Sequence, residues 1–126
     1  MTQRILIVED HADIRRLIRM TLEFENHEIH EAVNADEGLE AVRQLRPQLL
    51  LLDIMMPGID GLEATRQIRA LDREDAATTP IIAVSANAFA DDRRLSREAG
   101  MDAHLSKPVS SQELVEALAH IAADAS

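Results

Sequence analysis

At 126 residues the chain is the size of one compact domain, since single domains commonly run to about 100–150 residues. Its 46% hydrophobic content supports a real core, and with Phe24 and Phe89 as the only aromatic residues that core is built from Leu, Ile, Val, Ala and Met. A formal net charge of -10 opposes binding to nucleic acid or an anionic membrane, and the lack of cysteine excludes disulfides and thiolate metal sites.

Arg4-Ile5-Leu6-Ile7-Val8 is the first short apolar run, a predicted strand ending at Glu9-Asp10. Ile14, Leu17, Ile18 and Leu22 then recur at helical spacing, which predicts a helix from Ala12 to Phe24 with those four on its inner face. Glu28 to Val33 alternates polar and apolar residues as an edge strand does. Asn34 and Glu37 have capping-box spacing and open a helix through Leu39, Val42 and Leu45, which Pro47 stops. Leu49 to Leu52 is brief and flanked by breakers, so it reads as a strand leading to Asp53.

Pro57-Gly58 marks a loop, and Gly61 to Leu71 carries Leu62, Ile68 and Leu71 at helical intervals. Ile81-Ile82-Ala83-Val84 is a fourth strand and ends at Ser85. Phe89 to Ala99 is a charged, weakly apolar helix ended by Gly100; its Arg93, Arg94 and Arg97 alternate with Asp91, Asp92 and Glu98, as on a solvated face. Ala103 to Ser106 leads to Lys107-Pro108. Ser110 and Glu113 form a second capping box before a last helix that turns Leu114, Val115, Leu118 and Ile121 inward.

Five repeats of strand then helix predict a doubly wound parallel sheet with helices on both faces. The continuous apolar runs one, three and four belong in its centre, and the second and fifth at its edges. No charged leader precedes a long apolar run at Met1 to Arg4, and the longest purely apolar stretch, Leu49 to Leu52, is too short to span a bilayer. A single cytoplasmic domain over residues 1–126 is the expectation.

The chemistry gathers at the strand ends. Strand one ends in Glu9-Asp10, strand three in Asp53, strand four in Ser85 and strand five in Lys107. Ligands of open parallel sheets bind outside the carboxyl ends of the strands, where the winding direction reverses. Singly, each residue has a plain reading as a helix cap, a turn closer or a solvated cation. Together, three acids would repel one another unless a hard divalent cation with oxygen ligands sat among them, and Lys107 adds positive charge from another side. His11, His27, His30 and His120 read as structural or solvated; His27 and His30 are close in sequence but lack the acid-and-histidine pattern of a zinc site.

Four fragments, Ile5-Leu6-Ile7-Val8-Glu9-Asp10, Leu50 to Gly61 (through Asp53-Ile54-Met55-Met56-Pro57), Pro80 to Ala86, and Leu105-Ser106-Lys107-Pro108, occur in order along the chain. In these the sequence resembles the receiver domain of two-component response regulators, chemotaxis-regulator-like, of the single-domain or hybrid-kinase type. The resemblance implies a flavodoxin-like α/β fold, with a five-stranded sheet in the order 2-1-3-4-5 and five flanking helices. It makes Asp53 the phosphoacceptor, attacking a phosphohistidine on a histidine kinase or histidine phosphotransfer protein. Asp10 and Asp53 would hold Mg2+, with Mn2+ as a substitute, through side-chain oxygens; Met55 would add its backbone carbonyl, and Glu9 would act through bound water. Lys107 and Ser85 would each engage a phosphoryl oxygen.

By the same resemblance, movement of Ser85 toward the phosphate opens space for the residue three places before the lysine. That residue is His104, where the family usually carries Tyr or Phe, and two readings stand: a rotating switch or an exposed edge-strand histidine. Met55 and Asn87 would flank the path of attacking water, and apolar Met55 cannot orient water, so self-dephosphorylation is expected to be slow. A phosphate-independent binding module with the receiver fold is the alternative function. A phosphatase or mutase of the haloacid-dehalogenase type is disfavoured, because it needs a second acid where Met55 stands. The sequence ends at Ser126 soon after the fifth helix, so output is expected through another protein and not through an attached domain.

Overall fold

Runs such as Ile5 to Val8 and Leu49 to Leu52 have no polar face to offer water, so they require cover on both sides. The computed structural model provides it. It describes residues 4–23, 27–54, 61–71, 79–85, 90–106, 110, 112–117 and 119, with backbone alone at 85, 90–93, 96 and 106. The elements alternate: β1 (Arg4–Val8), α1 (Ala12–Glu23), β2 (Glu28–Ala32), α2 (Ala35–Leu45), β3 (Leu49–Asp53), α3 (Gly61–Arg69), β4 (Ile81–Ser85), α4 (Ala90–Ala99) and β5 (Ala103–Ser106). Residues 112–117 form a further helix, α5.

All strand pairs are parallel, and the sheet order is β2-β1-β3-β4-β5. β1 and β3 are neighbours from which the chain winds away in opposite directions, so the switch point lies between their carboxyl ends. Alternation along each strand sends successive side chains to opposite faces. Leu6, Val8, Leu50, Leu52, Ile81 and Ala83 pack with Leu39 and Val42 of α2 and Ala64 and Ile68 of α3. Ile5, Ile7, Leu49, Leu51, Ile82 and Val84 pack with Ile18 and Leu22 of α1 and with Leu114 of α5.

Local signals match the helix ends. Asn34 Oδ1 accepts the Glu37 N–H at 2.8 Å while Glu37 Oε1 accepts the Val33 N–H at 3.4 Å, a capping box shifted by one residue on its return bond. α2 closes at Arg46, which takes a left-handed φ of 49° and donates its N–H to Val42 O at 3.2 Å, directly before Pro47. Ser110 Oγ accepts the Glu113 N–H at 3.1 Å.

Two inward assignments need correction. Leu17 is 45% and Val115 39% exposed. Each stands one residue, or about 100° of helix rotation, from a buried neighbour (Ile18, Leu114), and falls off the flank of a narrow apolar stripe. α3 ends at Arg69, short of Leu71, which still packs against the core from the following turn. Leu118 and Ile121 lie outside the described residues.

Charged side chains secure the rims of the sheet. On β2, Arg15 Nε donates to Glu31 Oε1 at 2.9 Å, Arg4 Nε donates to Glu28 Oε2 at 2.6 Å, and His30 Nε2 lies 3.0 Å from the same Glu28 oxygen. Arg19 bonds both Glu23 and Glu31, which holds its guanidinium above its ordinary range, Glu23 contributing most. At the amino ends of β4 and β5, Arg69 donates to Gly100 O (3.0 and 2.8 Å), Thr79 O (2.7 Å) and Asp102 Oδ2 (3.0 Å). Asp102 Oδ2 also accepts the Ile81 N–H at 2.9 Å, so one carboxylate fixes the start of β4.

Candidate metal centre

Glu9 is the first residue past β1, and its N–H still donates to Ala32 O of β2 at 3.1 Å, so the sheet sets its direction. Asp53 is the last residue of β3, in register with Val84 of β4. Both carboxylates are buried, each residue being 1% exposed. The Asp10 side chain, one step further into the β1–α1 connection, is 26% exposed. The geometry thus joins two buried acids and one at the mouth, all at the switch point.

The acids converge, and a fourth residue joins them. One ligand atom from each of Glu9, Asp10, His11 and Asp53 lies within 4.8 Å of all the others. Octahedral coordination with metal–oxygen distances of about 2.0–2.1 Å puts adjacent ligands roughly 3.0 Å and opposite ligands roughly 4.2 Å apart. The observed spacing needs only a small contraction to reach that geometry, and carboxylate oxygens are the donors that hard divalent cations prefer. Three close carboxylates, two of them out of water, also gain most from such a charge.

Neighbouring groups hold the loop in shape. Arg15 Nη1 donates to Glu9 O at 2.9 Å while the same side chain pairs with Glu31, tying the end of β1 to α1 and β2. His11 O accepts the Arg15 N–H at 3.0 Å, starting the first turn of α1. Behind Asp53 the backbone is crowded: Gly61 N donates to Ile54 O and Ile54 N to Val84 O, both at 2.9 Å. A β-carbon on Gly61 would stand 2.3 Å from Asp53 O, so glycine is required there by close approach.

Of the residues singled out from the sequence, Glu9, Asp10 and Asp53 come together. Ser85 is placed by its backbone at the end of β4, opposite Ser106 of β5 and next to the Val84 that pairs with Asp53. Met55, Asn87 and Lys107 lie outside the described residues. His104 pairs in register with Ala83 and is half-buried, with both ring nitrogens withdrawn from solvent. The exposed-edge reading of His104 is therefore corrected: an edge strand is open along its backbone rim, while its faces are still covered. The His11 side chain is 65% exposed, in keeping with a solvated histidine, and its Nδ1 also lies 3.3 Å from Glu9 Oε1 and 3.2 Å from Asp10 Oδ1. Its position directly after the two acids was the available signal.

A parallel sheet of this order, with acids gathered at its switch point, is a flavodoxin-like fold carrying a candidate cation site. The chain belongs to the response regulator receiver domain family, whose pattern it matches over residues 5–119. It is 46% identical over 112 residues to the transcriptional regulatory protein ResD of Bacillus subtilis (strain 168), covering 89% of this chain and 45% of ResD. The chain thus spans about half the length of the curated relatives it matches. Among solved structures it is similar to the receiver domain of the sensor histidine kinase PA1611 from Pseudomonas aeruginosa PAO1, which has a magnesium ion coordinated in its active-site cleft. That match has 32% identity and a TM-score of 0.85 over 95% of this chain and 97% of the other. The chemotaxis protein CheY4 of Vibrio cholerae shares the fold, with a TM-score of 0.90 at 22% identity over 96% of this chain and 99% of that one.

Proposed function

We propose that this receiver domain, as one unit over residues 1–126, accepts a phosphoryl group on Asp53 in a Mg2+-dependent reaction and thereby switches its binding to a partner protein. The observation that carries this reading is the meeting of Glu9, Asp10 and Asp53 at the switch point between β1 and β3. The magnesium ion recorded in the PA1611 receiver domain supports it.

In the reaction, a carboxylate oxygen of Asp53 attacks the phosphorus of a phosphohistidine on a histidine kinase or a phosphotransfer protein. A P–O bond forms, the P–N bond breaks, and the histidine nitrogen keeps the electron pair. An Asp carboxylate is ordinarily ionised near neutral pH, so the step needs alignment and charge neutralisation more than a general base. Asp10 and Asp53 would hold Mg2+, or Mn2+ in its place, through side-chain oxygens, with the Met55 carbonyl as a third ligand and Glu9 acting through bound water. When bound there, the cation would supply charge neutralisation and alignment of the incoming phosphoryl group. Lys107 pairs with one of those oxygens and the Ser85 hydroxyl donates to another, drawing β4 toward the phosphate and making room for His104. Met55 offers no group to orient water, so phosphate is lost slowly.

The receiver unit itself, at a net charge of -10, is assigned no nucleic-acid contact and no membrane contact. Among the described residues no helix is long and apolar enough to cross a membrane, and the cytoplasm is the compartment we propose. The test is incubation with Mg2+ and acetyl phosphate, read by intact mass. Wild type should gain one phosphoryl group and Asp53→Asn none; equal labelling of the two would refute Asp53 as the acceptor.

A further inference from the structure

His11 stands where a cation site could use it. Its Nδ1 is 3.3 Å from Glu9 Oε1 and 3.2 Å from Asp10 Oδ1. A ring nitrogen of His11 and one oxygen from each of Glu9, Asp10 and Asp53 all lie within 4.8 Å of one another. We propose that His11 is a nitrogen ligand of the divalent cation in this site, which biases the site toward the borderline ion Ni2+, and less strongly toward Mn2+, relative to an all-oxygen receiver. The inference rests on the metal-dependent reading above and deepens it.

Three features support the assignment. The separation of 3.2 Å from the ligand Asp10 approaches the edge of roughly 3.0 Å between adjacent ligands of an octahedral ion with metal–ligand bonds of about 2.1 Å. The backbone of His11 is fixed while its ring is not. Its carbonyl accepts the Arg15 N–H at 3.0 Å, its N–H reaches Glu9 Oε1 at 3.4 Å, and its side chain is 65% exposed. The ring can therefore turn a nitrogen onto the ion without disturbing β1 or α1. Finally, the donor set becomes mixed. Mg2+ is hard, keeps its waters and takes little from imidazole, whereas affinity for nitrogen donors rises from Mn2+ to Ni2+.

The same distances also suit an imidazole that merely donates a hydrogen bond to the acids. The two roles separate by metal. A hydrogen-bonding His11 changes the affinity of every divalent ion alike, because it acts on the carboxylates. A ligating His11 changes them selectively, because it acts on the ion.

The experiment is calorimetric titration of the full chain with Mg2+, Mn2+ and Ni2+, for wild type, His11→Ala and His30→Ala. His11→Ala removes an exposed side chain and keeps the Arg15 N–H bond to residue 11, so the fold is retained. The expected result for His11→Ala is a loss in Ni2+ affinity of about tenfold or more, the scale seen when even the supporting partner of a metal ligand is removed. Loss for Mn2+ should be smaller, Mg2+ should change by less than about twofold, and His30→Ala should match wild type. Pulsed electron paramagnetic resonance of the Mn2+ form should show nitrogen coupling in wild type that disappears in His11→Ala. Equal loss for all three ions, absence of nitrogen coupling, or an equal Ni2+ loss in His30→Ala would each overturn the assignment, while Mg2+ binding to wild type, and the reading built on it, would stand. Absence of any Mg2+ binding to wild type would instead remove the reading on which it rests.

Discussion

Replacing Gly61 by Ala tests how tightly the fold holds Asp53. The added methyl carbon would stand 2.3 Å from Asp53 O, 2.8 Å from Ile54 Cα and 2.9 Å from Asp53 C. That is about 1 Å inside ordinary van der Waals contact, and the obstacle is backbone. The strand cannot drift away easily, because Ile54 N is bonded to Val84 O at 2.9 Å and Asp53 is in register with Val84. Overpacking of this kind costs about 1–3 kcal/mol, sometimes more, and the better helix propensity of Ala returns at most about 1 kcal/mol. With the clash against backbone placing the cost at the upper end of that range, a net loss of about 2 kcal/mol follows, which lowers Tm by roughly 6–10 °C in a domain of this size. Gly38→Ala is the control. There the new carbon would meet Val8 Cγ2 at 2.9 Å and Cγ1 at 3.2 Å, so a buried valine side chain must shift but no backbone need move. The gain of about 1 kcal/mol from Ala within α2 roughly offsets that, so Tm should stay within about 3 °C of wild type. The assay is thermal unfolding by circular dichroism, with Mg2+-dependent beryllofluoride uptake as a site readout. A shift of about 1 Å at Asp53 should weaken uptake about tenfold or more. Gly61→Ala melting with wild type, or below it by less than Gly38→Ala does, would refute the close-approach reasoning.

Metal supply should act through the acids: Mg2+ at about ten times its Kd should stabilise wild type by about 1.4 kcal/mol and Asp53→Asn by much less. In chelator the order should reverse, with Asp53→Asn melting higher because one of three clustered negative charges is gone; a lower melting point in both conditions would contradict the repulsion argument. Glu28 is held below the ordinary carboxylate range, first by its hydrogen bond with His30 and then by Arg4. Its folded-state pKa is depressed, so its contribution to stability is present above the unfolded-state value and is lost as pH falls through the folded one. Carbon-detected NMR titration should show the Glu28 midpoint rise toward its ordinary value in His30→Ala, and an unmoved midpoint would dismiss the pairing. Asp102→Ala should remove about 1–2 kcal/mol by depriving the Ile81 N–H and Arg69 of a shared acceptor, measured by urea unfolding. A stability unchanged from wild type would mean that water replaces the carboxylate in full.

The central and edge strands and the site acids were legible because they depend on features that survive in one dimension, whereas the full order 2-1-3-4-5 follows from the family resemblance. Uninterrupted apolar runs announced the central strands, and the two capping boxes at Asn34 and Ser110 announced helix starts. Glu9, Asp10 and Asp53 were legible because each follows such a run. Periodicity carries the phase of α1 and α5 but not the width of their buried stripes, so Leu17 and Val115 fit the inward pattern and yet stand exposed. The requirement for Gly61 comes from a backbone eight residues earlier in the chain folding over it, which no local pattern records. The placing of His11 has a different cause: the group that it joins includes Asp53, which lies far along the chain and is brought beside it only by the pairing of β1 with β3.

The sheet also works as a partition. Odd-numbered β1 residues Ile5 and Ile7 serve one apolar compartment, and even-numbered Leu6 and Val8 serve the other. Leu22 of α1 and Val42 of α2 lie on opposite sides of this wall. Changes at such separated positions add to within about 0.3–0.5 kcal/mol. Each compartment can therefore accumulate and compensate its own substitutions, so two lineages of packing can diverge within one unchanged topology. The wall itself has no such latitude: inserting one residue into β1 would exchange the two sets of side chains and turn Glu9 away from Asp53.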